Sequence, residues 1–476
     1  MDSVPTAPER QHIGVTTVLA ALVLLAFVAF AIWVHHGAAR VEEIAEPERA
    51  LAAVVGRTLD LDEGVDRAPA WERAVYTALL GGRADDLAQA IRWYQELAAF
   101  SLDPGVDLHL AILEGEAGRL DRIRRRVDEW DRRDGDFPAM AGWIAAAYLG
   151  TRPDVYRAPE LDAELSAALP PGWFRDRLAL GLAVRAGDDG LAGAARAALA
   201  ERGGRLLWRL RAFAVAQALV VVLGAVAVVG LARRRGDRAR PGSAVFPPPW
   251  SGREGVVVLV RGGALGAALM TAFFLAPTGG GVLRLASALA SNLAFLPVLL
   301  MARRRLLRPA GLGLRVGFGL VPQRRDLGTL AAVLLAVLAL GQAGQWGLDA
   351  VARALDLSSH WTEWFEPDLA WGSRAVAAVT LVDVVVVTPI FEELLFRGLL
   401  FGTLRRGLGA PGAAVASAAI FAVAHGYGVL GFTSVFWSAL LWAWAYEKTG
   451  SLWPCIASHA ADNLAASLSV LLVLRG

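Results

Sequence analysis

The sequence predicts an all-α polytopic membrane protein, with about nine transmembrane helices and an α-helical, repeat-like extracytoplasmic domain. Composition is the first observation behind this. Of 476 residues, 55% are hydrophobic and 19% charged, with a mean hydropathy of +0.46; soluble chains carry nearer a quarter charged residues. The second is a series of apolar runs, most of them close to the 20 or so residues a bilayer requires. The third is charge segregation. Residues 37–205 hold 22 arginines and 30 acids, a net of −8, so the remainder of a chain of net charge +2 carries +10.

The elements follow in order. Val15 to Val34 is long enough to span, with Arg10 before it. A secretory signal cleaved near Gly37-Ala38-Ala39 is the rival reading, but the run exceeds a usual signal core, so an uncleaved anchor is expected. His35 and His36 point different ways on a helix and read as interfacial polar residues. From 37 to 205, apolar residues recur at helical spacing in Trp71–Leu80, Leu87–Tyr94, Leu108–Leu113, Leu120–Trp130 and Leu178–Val184. Turns containing Gly or Asp, such as Gly81-Gly82-Arg83-Ala84-Asp85-Asp86 and Glu116-Ala117-Gly118-Arg119, separate them. This cadence resembles tetratricopeptide arrays, without a clean repeat register. An ordinary helical bundle accounts for it equally well. Arg122, Arg124, Arg125 and Arg126 are interleaved with acids and read as a solvated helix face.

Ala212–Leu231 is the second span. Further spans are expected at Val256–Ala276, Val282–Met301, Leu327–Trp346, Arg374–Leu404, Gly412–His425, Leu430–Tyr446 and Leu452–Leu474. Arginine clusters at 233–240, 303–325 and 405–406 mark cytoplasmic ends, and they alternate correctly if the first span runs from inside to outside. The N-terminus is then cytoplasmic and residues 37–205 extracytoplasmic. Trp361, Trp364 and Trp371 fall in an outer loop and read as an interfacial belt. Five regions result: 1–36, tail and anchor; 37–205, the soluble domain; 206–255, a span and an Arg/Pro-rich linker; 256–369, spans ahead of the core; and 370–476, the core. With its site outside 37–205, a chain beginning near Ser251 is expected to keep the chemistry. Cys455 is the only cysteine, which forbids an intrachain disulfide and weighs against a thiolate metal site. With a single lysine, Lys448, the many arginines reflect genome composition, and no nucleic-acid partner is assigned.

Chemistry concentrates in the core. Phe391-Glu392-Glu393-Leu394-Leu395-Phe396-Arg397-Gly398 sets two carboxylates and a guanidinium in an otherwise apolar run. Intramembrane ionisable groups are costly, so a functional site is their default reading. Glu393 and Arg397 are i,i+4 and can pair, while Glu392 is turned about 100° away. Pro389 lacks an N–H and is expected to kink the helix and free the carbonyl of Val385. A buried ion pair that merely locks two helices is the bland alternative, but it leaves the second glutamate without a purpose. His425 ends one span, and His459 and Asn463 share a face of the last. At about 1.5 Å per residue, all of these polar stations lie at similar middle depths. Together they offer a base for water, a shared imidazole and donors for an oxyanion.

Glu-Glu-x-x-x-Arg at 392–397, Phe-x-x-x-His at 421–425 and His-x-x-x-Asn at 459–463, in that order, resemble the CPBP family. These are intramembrane endopeptidases comprising CAAX prenyl proteases and bacteriocin-processing or immunity proteins. Tyr446-Glu447-Lys448-Thr449-Gly450-Ser451-Leu452-Trp453 also resembles the family's connection before the last motif. The resemblance covers about residues 370–472 and says nothing of 37–205. It implies an endopeptidase acting on a membrane-embedded or membrane-associated peptide; the Ala-, Gly- and Arg-rich composition points to a multi-pass protein of the bacterial inner membrane. Glu392 and His425 would activate water, His459 and Asn463 would stabilise the oxyanion, and Glu393 with Arg397 would support the site. The family is commonly called metalloprotease, and Glu392, His425 and His459 could make a zinc site with one open position; a metal-free glutamate mechanism uses the same residues. Cys455 has no role in this scheme and reads as packing. Non-enzymatic alternatives are a scaffold or immunity-type binding protein and a transporter with a carboxylate proton relay. The soluble domain could carry a protein partner.

Overall fold

The computed structural model describes residues 14–37, 41, 44–150, 158–233, 241–275, 289–321 and 327–475. Among these, every regular element is helical and none is a strand. The side chains of His35 and His36, the possible cleavage site at 38–39, Arg10, and the arginines at 234–240 and 324–325 lie outside the described residues. Contacts divide the chain into two units. The first comprises Met1–Ala38, Val220–Gln345 and Ser373–Ala466; the second comprises Ala39–Leu219, Trp346–Gly372 and Ser467–Gly476.

Six helices among the described residues are long and apolar enough to cross a bilayer: Asp189–Arg233, Gly252–Phe273, Leu327–Ala354, Arg374–Ala424, Val429–Thr449 and Trp453–Leu474. Nine were expected from the sequence. Val15–Gly37 is helical as anticipated, but its described apolar part, Val15–Phe30, is shorter. The expected span Val282–Met301 is described only from Leu289 onward, ending in the helix Leu296–Ala302. Arg374–Ala424 counts once, yet it folds back on itself. Gly409 adopts φ 70°, ψ 178° inside it, and the rings of Phe396 and Phe421 lie 4.8 Å apart. In a straight helix those 25 positions would be separated by roughly 37 Å. The expected spans Arg374–Leu404 and Gly412–His425 are therefore the two arms of one hairpin.

Small residues let the helices of the first unit approach. Gly262 and Gly266, four apart on Gly252–Leu275, leave no room for a Cβ against Val298 and the carbonyl of Ala294, a small-x-x-x-small contact. At one face of this unit the connections knit together. Gly242 N donates to Thr449 O (2.8 Å), Ala244 N to Gly450 O (3.0 Å), Ser243 Oγ to Val316 O (2.8 Å) and Arg406 Nε to Pro248 O (3.0 Å). Arg405 pairs with Glu447 at 3.1 Å. Ala244 and Trp250 are buried with Phe318, Phe401 and Tyr446. The linker is thus part of the core of this unit, and a chain beginning near Ser251 keeps the chemistry only if it folds without it. Such a chain loses a segment whose backbone is bonded to the turn before the last helix.

The second unit contains helices at all five expected places, Ala70–Leu80, Arg83–Leu97, Pro104–Glu116, Leu120–Trp130 and Trp173–Ala186, and further ones not anticipated, among them Pro47–Asp66. Its boundary differs from the expected 205, because Asp189–Arg233 runs through that point as one helix. Trp173–Ala186 packs back on Pro47–Asp66, Pro104–Glu116 and Phe137–Ile144. These sequence-distant contacts make a closed bundle, not a stack of repeats that touch only their neighbours. Two further expectations are met in part. Arg122, Arg124 and Arg125 are exposed, as a solvated face requires, and Arg126 is half-buried; Arg122 and Arg126, i,i+4, both reach the buried Glu114, at 3.3 and 3.2 Å, while Arg124 pairs with Asp121. Trp361 is fully buried beside Phe365, and Trp371 lies under the Arg49 guanidinium at 4.6 Å. Trp361 packs the unit's interior instead of joining an interfacial belt, whereas Trp371 is half-buried and Trp364 exposed. A cavity of about 660 Å³ in this unit is lined by residues including Arg57, His109, Trp173 and Arg202, and it contains none of the candidate site residues. Burial depresses the His109 imidazole to about 3, and its Nδ1 meets the Tyr94 hydroxyl at 3.0 Å.

Candidate active site

The site grows from a helix whose regular pitch is interrupted twice. Asp383–Val387 and Leu394–Phe401 are π-helical, on either side of the α-helical Thr388–Glu393. Such widened turns recur at functional sites. Pro389 supplies part of the reason. In α-register its missing N–H would orphan the carbonyl of Val385, as anticipated. In the wider i→i+5 register of the preceding turn the orphan is Val384 instead. That carbonyl accepts from Asn463 Nδ2 at 2.8 Å. Asn463 therefore ties the last helix to the carboxylate helix. Asp383, in the same turn, accepts from Asn292 Nδ2 at 2.8 Å, and Thr388 Oγ1 donates to Asn292 Oδ1 at 3.4 Å.

Glu393 is the buried hub, with none of its side chain exposed. Its Oε1 accepts from Arg397 Nη1 at 2.8 Å and from His459 Nδ1 at 3.0 Å. The i,i+4 pairing read from spacing is present, and His459 joins it. Arg397 Nη2 reaches the carbonyl of Ala439 at 3.4 Å. Its guanidinium lies 4.4 Å from the Phe421 ring centroid and 4.8 Å from that of Trp442. A charge held between a carboxylate and two aromatic faces is stabilised without water. Glu393 Oε2, Arg397 Nε and Trp442 Nε1 are buried without a protein partner among the described residues.

Glu392 differs from its neighbour. Its side chain is 16% exposed, and its Oε2 faces His459 Nε2 at 3.6 Å, within ion-pair range but beyond a direct hydrogen bond. The Glu393 contact sets the imidazole's orientation, because a carboxylate at Nδ1 requires the proton there. Nε2 is thereby presented to Glu392. Trp442 stacks on the same imidazole at 4.2 Å and 18°. Phe421 touches both histidines, with ring centroids 4.6 Å from His425 and 5.8 Å from His459. His425 Nδ1 lies 2.8 Å from the carbonyl of Phe421, which leaves Nε2 as its outward atom.

The expected residues thus divide by position. Glu392, Glu393, Arg397 and His459 form one continuous constellation. His425 reaches it through the Phe421 ring, and Asn463 attaches to backbone at its edge. Trp442, not anticipated, is integral to the site. Its only sequence signal was a tryptophan in an apolar helix between two motifs. Cys455 packs as expected, its Sγ 3.2 Å from the Trp442 carbonyl. Asp462 adds another carboxylate, accepting from Ser438 Oγ at 3.3 Å. Both His459 nitrogens already face carboxylates and His425 Nδ1 faces a backbone carbonyl. No group of three His, Cys, Asp or Glu side chains among the described residues is arranged to hold a metal ion.

Residues 374–465 match the family model for the type II CAAX prenyl endopeptidase, Rce1-like. This interval includes every residue of the constellation. No curated protein matches the chain, and no solved structure does.

Proposed function

We propose, on the premise that residues 374–465 belong to the Rce1-like family of intramembrane proteases, that this chain hydrolyses a peptide bond of a membrane-embedded or membrane-associated peptide, with Glu392 as the base. The observation that carries the reading is the division of labour between adjacent carboxylates. Glu393 is committed to Arg397 and His459, whereas Glu392 is partly exposed and opposes His459 Nε2. Glu392 takes a proton from the attacking water and returns it to the leaving amine. His425, through its outward Nε2, assists in activating that water. His459, held by Glu393 as a triad histidine is held by its carboxylate, stabilises the oxyanion through a protonated Nε2. Asn463 contributes through position, by capping Val384. The described donor geometry favours water activation by glutamate. Zinc would require His425 Nε2, Glu392 and His459 to converge on one ion.

A topology accompanies this reading. The arginine-marked ends and the connections at 241–250, 316–320, 403–406 and 447–453 are bonded together at one face of the first unit, and we assign that face to the cytoplasm. Of the segments expected outside, 37–205 from Ala39 onward and the loop between the fifth and sixth spans fall in the second unit, which comprises Ala39–Leu219, Trp346–Gly372 and Ser467–Gly476. Nine spans with a cytoplasmic N-terminus satisfy both groupings, in a bacterial inner membrane.

The test compares membrane peptides released by cells carrying wild type or Glu392→Gln at equal abundance. Products present only with wild type are expected; identical profiles would overturn the proposal. Purified wild type should keep cleaving after treatment with 1,10-phenanthroline. Loss of cleavage restored by zinc would assign the metal mechanism.

A further inference from the structure

A second polar feature of the first unit takes no part in hydrolysis. A cavity of about 490 Å³ is walled by Arg253, Arg261, Arg304 and Arg305, with Glu254 and Thr17. It lies where the helices Val15–Gly37 and Gly252–Leu275 begin and where the π-helical turn Arg303–Leu307 ends the helix before it. Among the described residues that line it, Arg261, Arg304 and Arg305 join Arg253 around a single carboxylate. That carboxylate is already used, since Glu254 Oε2 accepts from Ser251 Oγ at 2.9 Å. Arg261 Nε donates to Thr17 Oγ1 at 2.9 Å, which fixes its guanidinium in the wall. Two helix N-termini open at the same place and add partial positive charge. Arg261, Arg304 and Arg305 bring like charges to one cavity, and the guanidinium fork matches phosphate oxygens.

We propose that this cavity binds the phosphodiester headgroup of an anionic membrane lipid. Basic pockets between transmembrane helices favour such headgroups. The apolar surface that would receive acyl chains begins at once: Val257 and Val258 line the cavity, and Leu19 and Leu265, on the two helices that start there, are exposed at 56% and 55%. A soluble phosphate ion has no use for that flank.

The full-length protein in neutral detergent is titrated with phosphatidylglycerol or phosphatidylcholine and followed by native mass spectrometry. We expect one phosphatidylglycerol per chain, held at least ~10-fold more tightly than phosphatidylcholine, with the preference lost in the R304A/R305A double variant. Wild type alone supplies a second readout: its melting temperature should rise with phosphatidylglycerol and not with phosphatidylcholine. Equal retention of the two lipids, or an undiminished preference in the double variant, would overturn the assignment. So would displacement of phosphatidylglycerol by an equal concentration of inorganic phosphate, which would give the site to a soluble anion.

Discussion

Glu393 has no exposed side chain and serves Arg397 and His459 from one oxygen, while Glu392 keeps 16% of its side chain exposed. The two substitutions to glutamine should therefore fail differently. Glu392→Gln retains shape and loses the proposed base. Its cleavage rate should drop by ~10²–10⁴-fold with the melting temperature unchanged. Glu393→Gln leaves Arg397 as an unpaired buried charge, at a cost of about 3–5 kcal/mol, and also frees the His459 imidazole. It should melt early and lose cleavage together. Melting temperature and rate measured on both variants decide the matter. A stable but inert Glu393→Gln beside an active Glu392→Gln would reverse the roles. The i,i+4 pair was legible because helix periodicity is local. The imidazole on the same oxygen was not, because His459 lies 66 positions away and only packing selects its partner.

At the scale of the element, the carboxylate helix is shaped by Pro389 and the turns around it. The sequence announced a disturbance there, but the orphaned carbonyl moves from Val385 to Val384 once the turn widens, and the last helix supplies its cap. Asn463→Ala should therefore leave a buried carbonyl unsatisfied, costing ~1–3 kcal/mol, and lower the melting temperature. If Asn463→Ala instead keeps its melting temperature and loses only kcat, the side chain acts on the oxyanion and the capping role is secondary. The fold-back at Gly409 belongs to this scale too. Gly and Pro411 marked a break in the sequence, but the tertiary contact of Phe396 with Phe421 turns that break into a hairpin and brings the histidine arm to the glutamate arm.

For the molecule as a whole, the second unit carries a pH response of its own. Burial and the neighbouring Asp86 push the Asp62 carboxyl up to about 8 from its ordinary 3.8, and Asp86 itself rises to about 6. Arg83 opposes the shift, while Asp66 and Glu63 add to it. The folded state thus holds the Asp62 proton more tightly than the unfolded chain does. Its stabilising contribution is complete below about pH 4 and is lost as pH rises through about 8. The melting temperature of the second unit, followed in the full-length protein, should fall between pH 5 and pH 8. Asp62→Asn should flatten that slope. An equally steep slope in Asp62→Asn would place the response on other groups.

The sequence by itself determined the helical class, the apolar runs, the segregation of charge and the three motifs of the site. All of these are written in local periodicity and composition, where one residue's neighbours along the chain suffice. Only the tertiary structure decided which residues share an interior. It drew Trp361 and Trp371 into the second unit, closed that unit into a bundle, and built the linker at 241–250 into the core of the first. It also set Trp442 and Phe421 around Arg397 and His459. Those outcomes depend on contacts between residues tens to hundreds of positions apart, whose selection rests on shape and on where a buried charge can find a partner.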